Sequence, residues 1–124
     1  MIEMLSGFPG NVVAFAGTGR ITKRDYETVV APAVGRTVSR RGKARLYYQV
    51  GPDFTGFDVG AMWEDFKVGI ETWTRWERVA VVTDVHWIGQ AVAAFTFLIP
   101  GEVRVFPLQE AAQARAWIAE ASAP

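Results

Sequence analysis

The stretch Val79-Ala80-Val81-Val82-Thr83 constrains the fold of this chain more than any other. It is an unbroken run of mostly β-branched residues, closed by Arg78 on one side and Asp84 on the other. A strand with water on one face alternates polar and apolar side chains, whereas a strand covered on both faces need not. The run therefore predicts a doubly covered strand, and we place it at the centre of the sheet. Helices must then pack on both sides, which is an α/β arrangement.

The rest of the chain supplies the other layers. Residues 2–5 and 11–16 are apolar runs separated by Gly7, Pro9 and Gly10, which reads as two short strands joined by a turn. Thr22 with Asp25 three residues on offers the side-chain oxygens that a helix start needs for its free N–H groups. Behind it Tyr26, Val29, Val30, Ala33, Val34 and Val38 recur every three or four residues, so they share one helix face. Pro32 falls inside this pattern, where its missing N–H and its ring predict a kink or a break. The segment Ser39-Arg40-Arg41-Gly42-Lys43 closes the helix with cations near its negative pole and a glycine suited to a left-handed cap.

Residues 44–50 form a third strand, and 51–57 a loop. Over 58–73 the residues Val59, Met62, Trp63, Phe66, Ile70 and Trp73 predict a strongly amphipathic second helix. Asp84 is placed to cap a third helix over 85–98, ended by Ile99-Pro100-Gly101. Residues 103–106 are a short strand, and Pro107 takes the first position of a last helix reaching about residue 120. The predicted order is β-β-α-β-α-β-α-β-α: about five strands in a mixed, mostly parallel sheet, about four helices, and right-handed crossovers.

Bulk properties narrow the function. The 124 residues suit a single domain over 1–124, and a hydrophobic fraction of 50% with 13% aromatics supplies a core. Thirteen basic and thirteen acidic residues leave no net field to draw in nucleic acid. With no cysteine there is no disulfide, thiolate nucleophile or Cys-based metal site. The opening Met1-Ile2-Glu3-Met4-Leu5 has no basic segment leading into an apolar one, and no run approaches the roughly 20 apolar residues of a membrane span, so the chain reads as cytoplasmic.

The element order is joined by several short motifs: Ile21-Thr22-Lys23-Arg24-Asp25-Tyr26-Glu27, Asp53-Phe54-Thr55-Gly56-Phe57, Glu77-Arg78-Val79-Ala80-Val81-Val82, and Glu102-Val103-Arg104-Val105-Phe106 followed by Ala116-Trp117-Ile118. Together they resemble the SpoIIAA-like family of bacterial proteins over almost the whole chain. That family is similar to the STAS fold of anti-sigma factor antagonists and sulfate transporter tails, and to the lipid-binding CRAL-TRIO fold. The antagonists carry an Asp-x-Ser-Gly loop whose serine begins a helix and is phosphorylated by a partner kinase. The resemblance puts Asp53 and Thr55 in that loop, with Thr55 in the hydroxyl position near a helix N-terminus that would stabilise a phosphate. It also implies association with apolar ligands or membrane surfaces.

Residue by residue, the candidates are few. The stripe Met62, Trp63, Phe66 and Trp73 is ordinarily core, but the third helix adds Trp87, Ile88, Val92, Phe95, Phe97 and Leu98, which point to nearly every side. The second helix, a second copy in a homodimer, an apolar ligand between the helices, or a bilayer face would cover the surplus. Lys67 and the cluster Arg36, Arg40, Arg41, Lys43 and Arg45 are surface cations suited to anionic headgroups. His86, the only histidine, lies beside Asp84 and suits an ion pair or helix start, while Asp58, Glu64 and Asp65 are too spread for a metal site. Gly17-Thr18-Gly19-Arg20 lacks the further residues of a nucleotide motif and reads as a tight turn.

The expectation is a non-enzymatic binding module without cofactor, cytoplasmic or peripheral at the membrane. It takes an apolar molecule or membrane surface through Met62, Trp63, Phe66, Trp73, Trp87, Val92 and Phe95. The alternative is a regulatory switch at Asp53 and Thr55 acting through a protein partner.

Overall fold

A computed structural model of the chain describes residues 1–57, 76–95 and 101–120. Strands β1 (Ile2–Met4) and β2 (Val12–Gly17) form the expected antiparallel pair, with Met4 opposite Phe15. After the two-residue strand β3 (Arg20–Ile21) comes one continuous helical stretch: α1 (Lys23–Asp25), a π-helical segment (Tyr26–Val30) and α2 (Ala31–Arg41). Then follow β4 (Ala44–Val50), β5 (Gly56–Phe57), β6 (Trp76–Thr83), α3 (His86–Phe95), β7 (Glu102–Phe106), a 3₁₀ turn (Leu108–Glu110) and α4 (Ala111–Ala119). The predicted second helix over 58–73 lies outside the described residues.

The principal sheet has the order β1-β2-β4-β6-β7, parallel throughout except for β1. The doubly covered strand is therefore interior, as its sequence demanded, but the middle of the five is β4, not β6. The two faces can be followed residue by residue along β6. Val79 and Val81 enter the core beneath the first helix and α3, while Ala80 and Val82 enter a second core with Ala114, Trp117 and Ile118 of α4. Alternate side chains of one apolar run thus serve two cores. A separate two-stranded pair, β3 with β5, was not anticipated and turns part of the 51–57 loop into strand.

Local chemistry accounts for the ends of the elements. Asp25 N donates to Thr22 Oγ1 at 3.2 Å and Thr22 N donates to Asp25 Oδ2 at 2.8 Å, a reciprocal capping box. Burial alone would raise the Asp25 pKa; it is outweighed by the bonds from the Thr22 backbone and hydroxyl and by the nearby Met1 amino group, so the pKa lies below its ordinary value. Pro32 lies inside this continuous helical stretch, and the wider π turn just before it makes the adjustment expected as a kink or break. Gly42, at φ 75°, closes α2 by donating to Val38 O.

Three sequence expectations are corrected here. Asp84 Oδ1 accepts from Leu108 N, tying β6 to the last helical segment, while the Val85 N–H at the entry to α3 finds Thr83 Oγ1. His86 is the first residue of α3, the helix-start place expected of it, but it is exposed and no ion pair among the described residues joins it to Asp84. Pro107 precedes the 3₁₀ turn in extended geometry and does not open the helix, which begins at Ala111.

The largest correction concerns Arg45. Grouped from the sequence with surface cations, it is 2% exposed. Its position on β4 turns it toward the α4 face, as it does Tyr47. Arg45 Nε donates to Glu77 Oε1 at 2.9 Å, and Nη1 donates to Ile118 O at 2.9 Å and Glu120 O at 2.5 Å. Arg45 Nη2 also meets Glu77 Oε1. The register of β4 against β6 jumps from Ala44↔Trp76 to Arg45↔Arg78, leaving Glu77 as an extra, bulged residue beside the guanidinium. Arg78 Nη1 donates to Trp117 O at 2.8 Å. Arg45 thus satisfies the Ile118 and Glu120 carbonyls at the end of α4, while Arg78 adds a second donor to the Trp117 carbonyl, which also accepts from Glu120 N at 3.3 Å. The guanidinium carbons of Arg78 and Arg104 also lie 5.0 and 4.8 Å from the Trp117 ring centroid.

Candidate functional site

In a parallel sheet the connections leaving the carboxyl ends of the strands gather at one rim, where open α/β folds build their sites. Two such connections meet here. After β2, the turn Gly17-Thr18-Gly19 bends with Gly19 at φ 57°, a left-handed conformation that glycine adopts without a Cβ clash. After β4 the chain folds back through Gly51, whose carbonyl accepts from Phe54 N at 3.2 Å. Gly19 N donates to Asp53 O at 3.1 Å, and Thr55 N donates to Gly19 O at 2.9 Å. The Asp53-Phe54-Thr55 loop is thereby pinned through its backbone.

The side chains of this loop divide in a simple way. Asp53 and Thr55 are exposed, while Phe54 is half-buried against the core beneath the first helix. The Phe54 ring approaches that of Trp87 on α3, with centroids 6.4 Å apart and planes inclined by 44°. Trp87 is 49% exposed. The rim therefore presents an indole held beside a phenyl ring, next to a hydroxyl and a carboxylate.

The sequence-derived candidates are only partly gathered by this geometry. Asp53, Thr55 and Trp87 come together at the carboxyl rim. Val92 faces the other way: with Val85 and Ile88 it packs against the core beneath the first helix. Phe95 ends the described part of α3, and its side chain is outside the described set. Met62, Trp63, Phe66 and Trp73, with Lys67, Phe97 and Leu98, also lie outside the described residues. Thr55 does not stand directly at a helix start, because Gly56–Phe57 continue as β5 alongside Arg20–Ile21. Phe54 was missed as a site residue. The alternation of Asp53, Phe54 and Thr55 hinted at an inward aromatic, but nothing in the sequence paired it with Trp87.

Among the described residues no three His, Cys, Asp or Glu side chains cluster as metal ligands, and no helix is long and apolar enough to cross a membrane.

Comparison with known proteins bears on the fold. No curated protein matches the chain. The crystal structure of an uncharacterized protein from the DUF3478 family with a SpoIIAA-like fold, from Shewanella loihica PV-4, superposes with a TM-score of 0.72 at 21% identity, covering 95% of this chain and 92% of that one. At that identity the likeness speaks for the fold alone, and it agrees with the five-stranded, mostly parallel sheet found here. Residues 12–119 match the SpoIIAA-like family model, a span from β2 to the end of α4 that takes in the Asp53 to Thr55 loop and both cores, and the chain belongs to the SpoIIAA-like family.

Proposed function

We propose that this chain is a non-enzymatic binding module that takes an apolar, lipid-like molecule or a membrane surface at the carboxyl rim of its sheet. The observation that carries the reading is Trp87, the largest exposed apolar side chain among the described residues, standing on the first turn of α3 beside Phe54. An indole with one face on protein and the other in water suits an apolar partner, because its ring supplies a large contact area and its N–H stays satisfied at a polar boundary. The Met62, Trp63, Phe66 and Trp73 stripe is proposed to extend the same surface.

The test combines solvent extraction of the purified chain with vesicle sedimentation, for wild type and Trp87→Gln. A copurifying apolar molecule or vesicle retention that Trp87→Gln weakens, with unfolding unchanged, is the expected result. Absence of both defeats the proposal.

A second reading has its own observation. Thr55 is exposed on a loop whose backbone is fixed to Gly19, which suits a regulatory phosphorylation read by a protein partner. Intact-mass analysis of the chain from growing cells decides it: an added phosphoryl group at Thr55 supports the switch, and unmodified protein under all conditions removes it.

A further inference from the structure

At the other end of the sheet, where β2 and β4 begin, a cleft of 660 Å³ opens. Its wall includes Asn11, Arg41, Lys43, Arg45 and Glu77. A space of this size suits a small molecule. Its charges do not cancel. The buried Arg45 is matched by Glu77, which leaves Arg41 and Lys43, both exposed, as uncompensated cations. Among the described residues neither has a carboxylate within ion-pair distance.

Cations near the end of a helix ordinarily serve its negative pole. Arg41 and Lys43 are placed differently. Gly42 already closes α2 on Val38 O, and Lys43 lies beyond that cap on the approach to β4. The Arg41 guanidinium reaches across to the β1–β2 turn, where a Cβ added at Gly10 would fall 2.5 Å from Nη2. Asn11 completes the group. Its backbone carbonyl is fixed by Arg45 N at 2.9 Å, which sets its amide side chain on the wall of the cleft.

We propose that this cleft binds a phosphate group, carried by a small molecule or by a lipid headgroup. Arg41 supplies the forked donors that match phosphate oxygens, Lys43 a point charge and Asn11 a neutral donor, brought together from two chain segments. The buried Arg45–Glu77 pair forms the floor and holds the first residues of β4 in place. The site is independent of the carboxyl-rim surface, since the two lie at opposite ends of β4.

The experiment titrates the isotope-labelled chain with inorganic pyrophosphate at constant ionic strength, following backbone amides by nuclear magnetic resonance. In parallel it sediments the chain with phosphatidylcholine vesicles with and without phosphatidic acid. Saturable shifts centred on Asn11 and Lys43 are expected. The double variant Arg41→Gln/Lys43→Gln should lower pyrophosphate affinity by about tenfold or more, since two charge-assisted contacts are lost. Arg36→Gln/Arg40→Gln, which removes two exposed charges of the same helix outside the cleft, should change it by less than about twofold. Gly10→Ala displaces the Arg41 fork without removing charge and should also weaken binding.

Pyrophosphate binding with no preference for phosphatidic acid assigns the site to free phosphorylated molecules. Phosphatidic acid retention that needs Arg41 and Lys43 assigns it to a headgroup. Retention that needs Trp87 but neither of these cations belongs to the carboxyl rim, and the pyrophosphate titration then decides alone. Failure to bind pyrophosphate saturably together with no cation-dependent retention overturns the proposal. So does an equal loss in the Arg36→Gln/Arg40→Gln control.

Discussion

Removing the Glu77 carboxylate should be among the most damaging single changes at any partly exposed residue of this chain. Glu77→Ala deprives a guanidinium that is 2% exposed of its countercharge. Breaking a buried ion pair by deleting one partner costs about 3–5 kcal/mol, because the remaining charge cannot regain its hydration. Two features place this case at the lower end. The Glu77 side chain is 31% exposed, so water can reach the vacated space, and Arg45 keeps the Ile118 and Glu120 carbonyls as acceptors. The expected loss is then about 3 kcal/mol. At about 2.1 cal/mol/K of unfolding entropy per residue, for 124 residues, this lowers Tm by about 12 °C.

The assay is urea unfolding followed by tryptophan fluorescence, repeated for Arg45→Met and for Arg45→Met/Glu77→Ala. The double variant should be more stable than the sum of the single losses implies, by about 1 kcal/mol or more, because it no longer buries an unpaired charge. It should stay below wild type, since the carbonyls at the end of α4 have still lost donors. A Glu77→Ala loss under about 0.5 kcal/mol, or strict additivity in the cycle, would show that the pair behaves as an ordinary surface contact and refute the reasoning.

Three further outcomes follow from the structure. Thr22→Ala removes the side-chain half of the capping box and should cost about 1 kcal/mol in the same assay, with Thr22→Ser close to wild type. The Asp25 pKa is lower folded than unfolded, so its contribution is present above the unfolded value and is lost as pH falls through the folded one; an acid titration of stability should show this component, and Asp25→Asn should remove it. Gly101→Ala would set a Cβ 2.6 Å from the Trp76 carbonyl oxygen and closer still to that of Glu77, backbone atoms of the bulged strand that cannot swing aside. A loss of about 2–3 kcal/mol or failure to fold is expected, and a wild-type midpoint in urea would contradict it.

Much of this architecture is legible in the amino acids because local chemistry decides it. The run from Val79 to Val82 has no polar residue to give to solvent, so its double covering follows from composition alone. Thr22 and Asp25 declare a helix start three residues apart, and Gly42 its end. Strand order is a different matter. Nothing within β4 states that it lies between β2 and β6, since that follows from which loops cross which face. Arg45 shows the same limit. Five cations between Arg36 and Arg45 look like one solvated cluster, and the carboxylate that allows one of them to be buried lies 32 residues further on, on a bulge that no periodicity reveals. At the candidate rim the loop was visible from its Asp-Phe-Thr-Gly spelling, whereas the meeting of Phe54 with Trp87 depends on how α3 docks. Within the described part of α3, Ile88 and Val92 face the core and Trp87 is exposed, while Phe95, Phe97 and Leu98, which made up the rest of the expected surplus, lie outside the described side chains.

The direction of β4 carries a last consequence. Its seven residues run from the basic cleft to the pinned loop, and at about 3.3 Å per residue they hold the two rims roughly 20 Å apart. Bodies engaged at opposite ends of such a rod do not collide. Were both proposed sites filled, their occupants would sit at opposite rims, and any influence of one upon the other would have to pass along β2, β4 and β6, the three interior strands that join those rims.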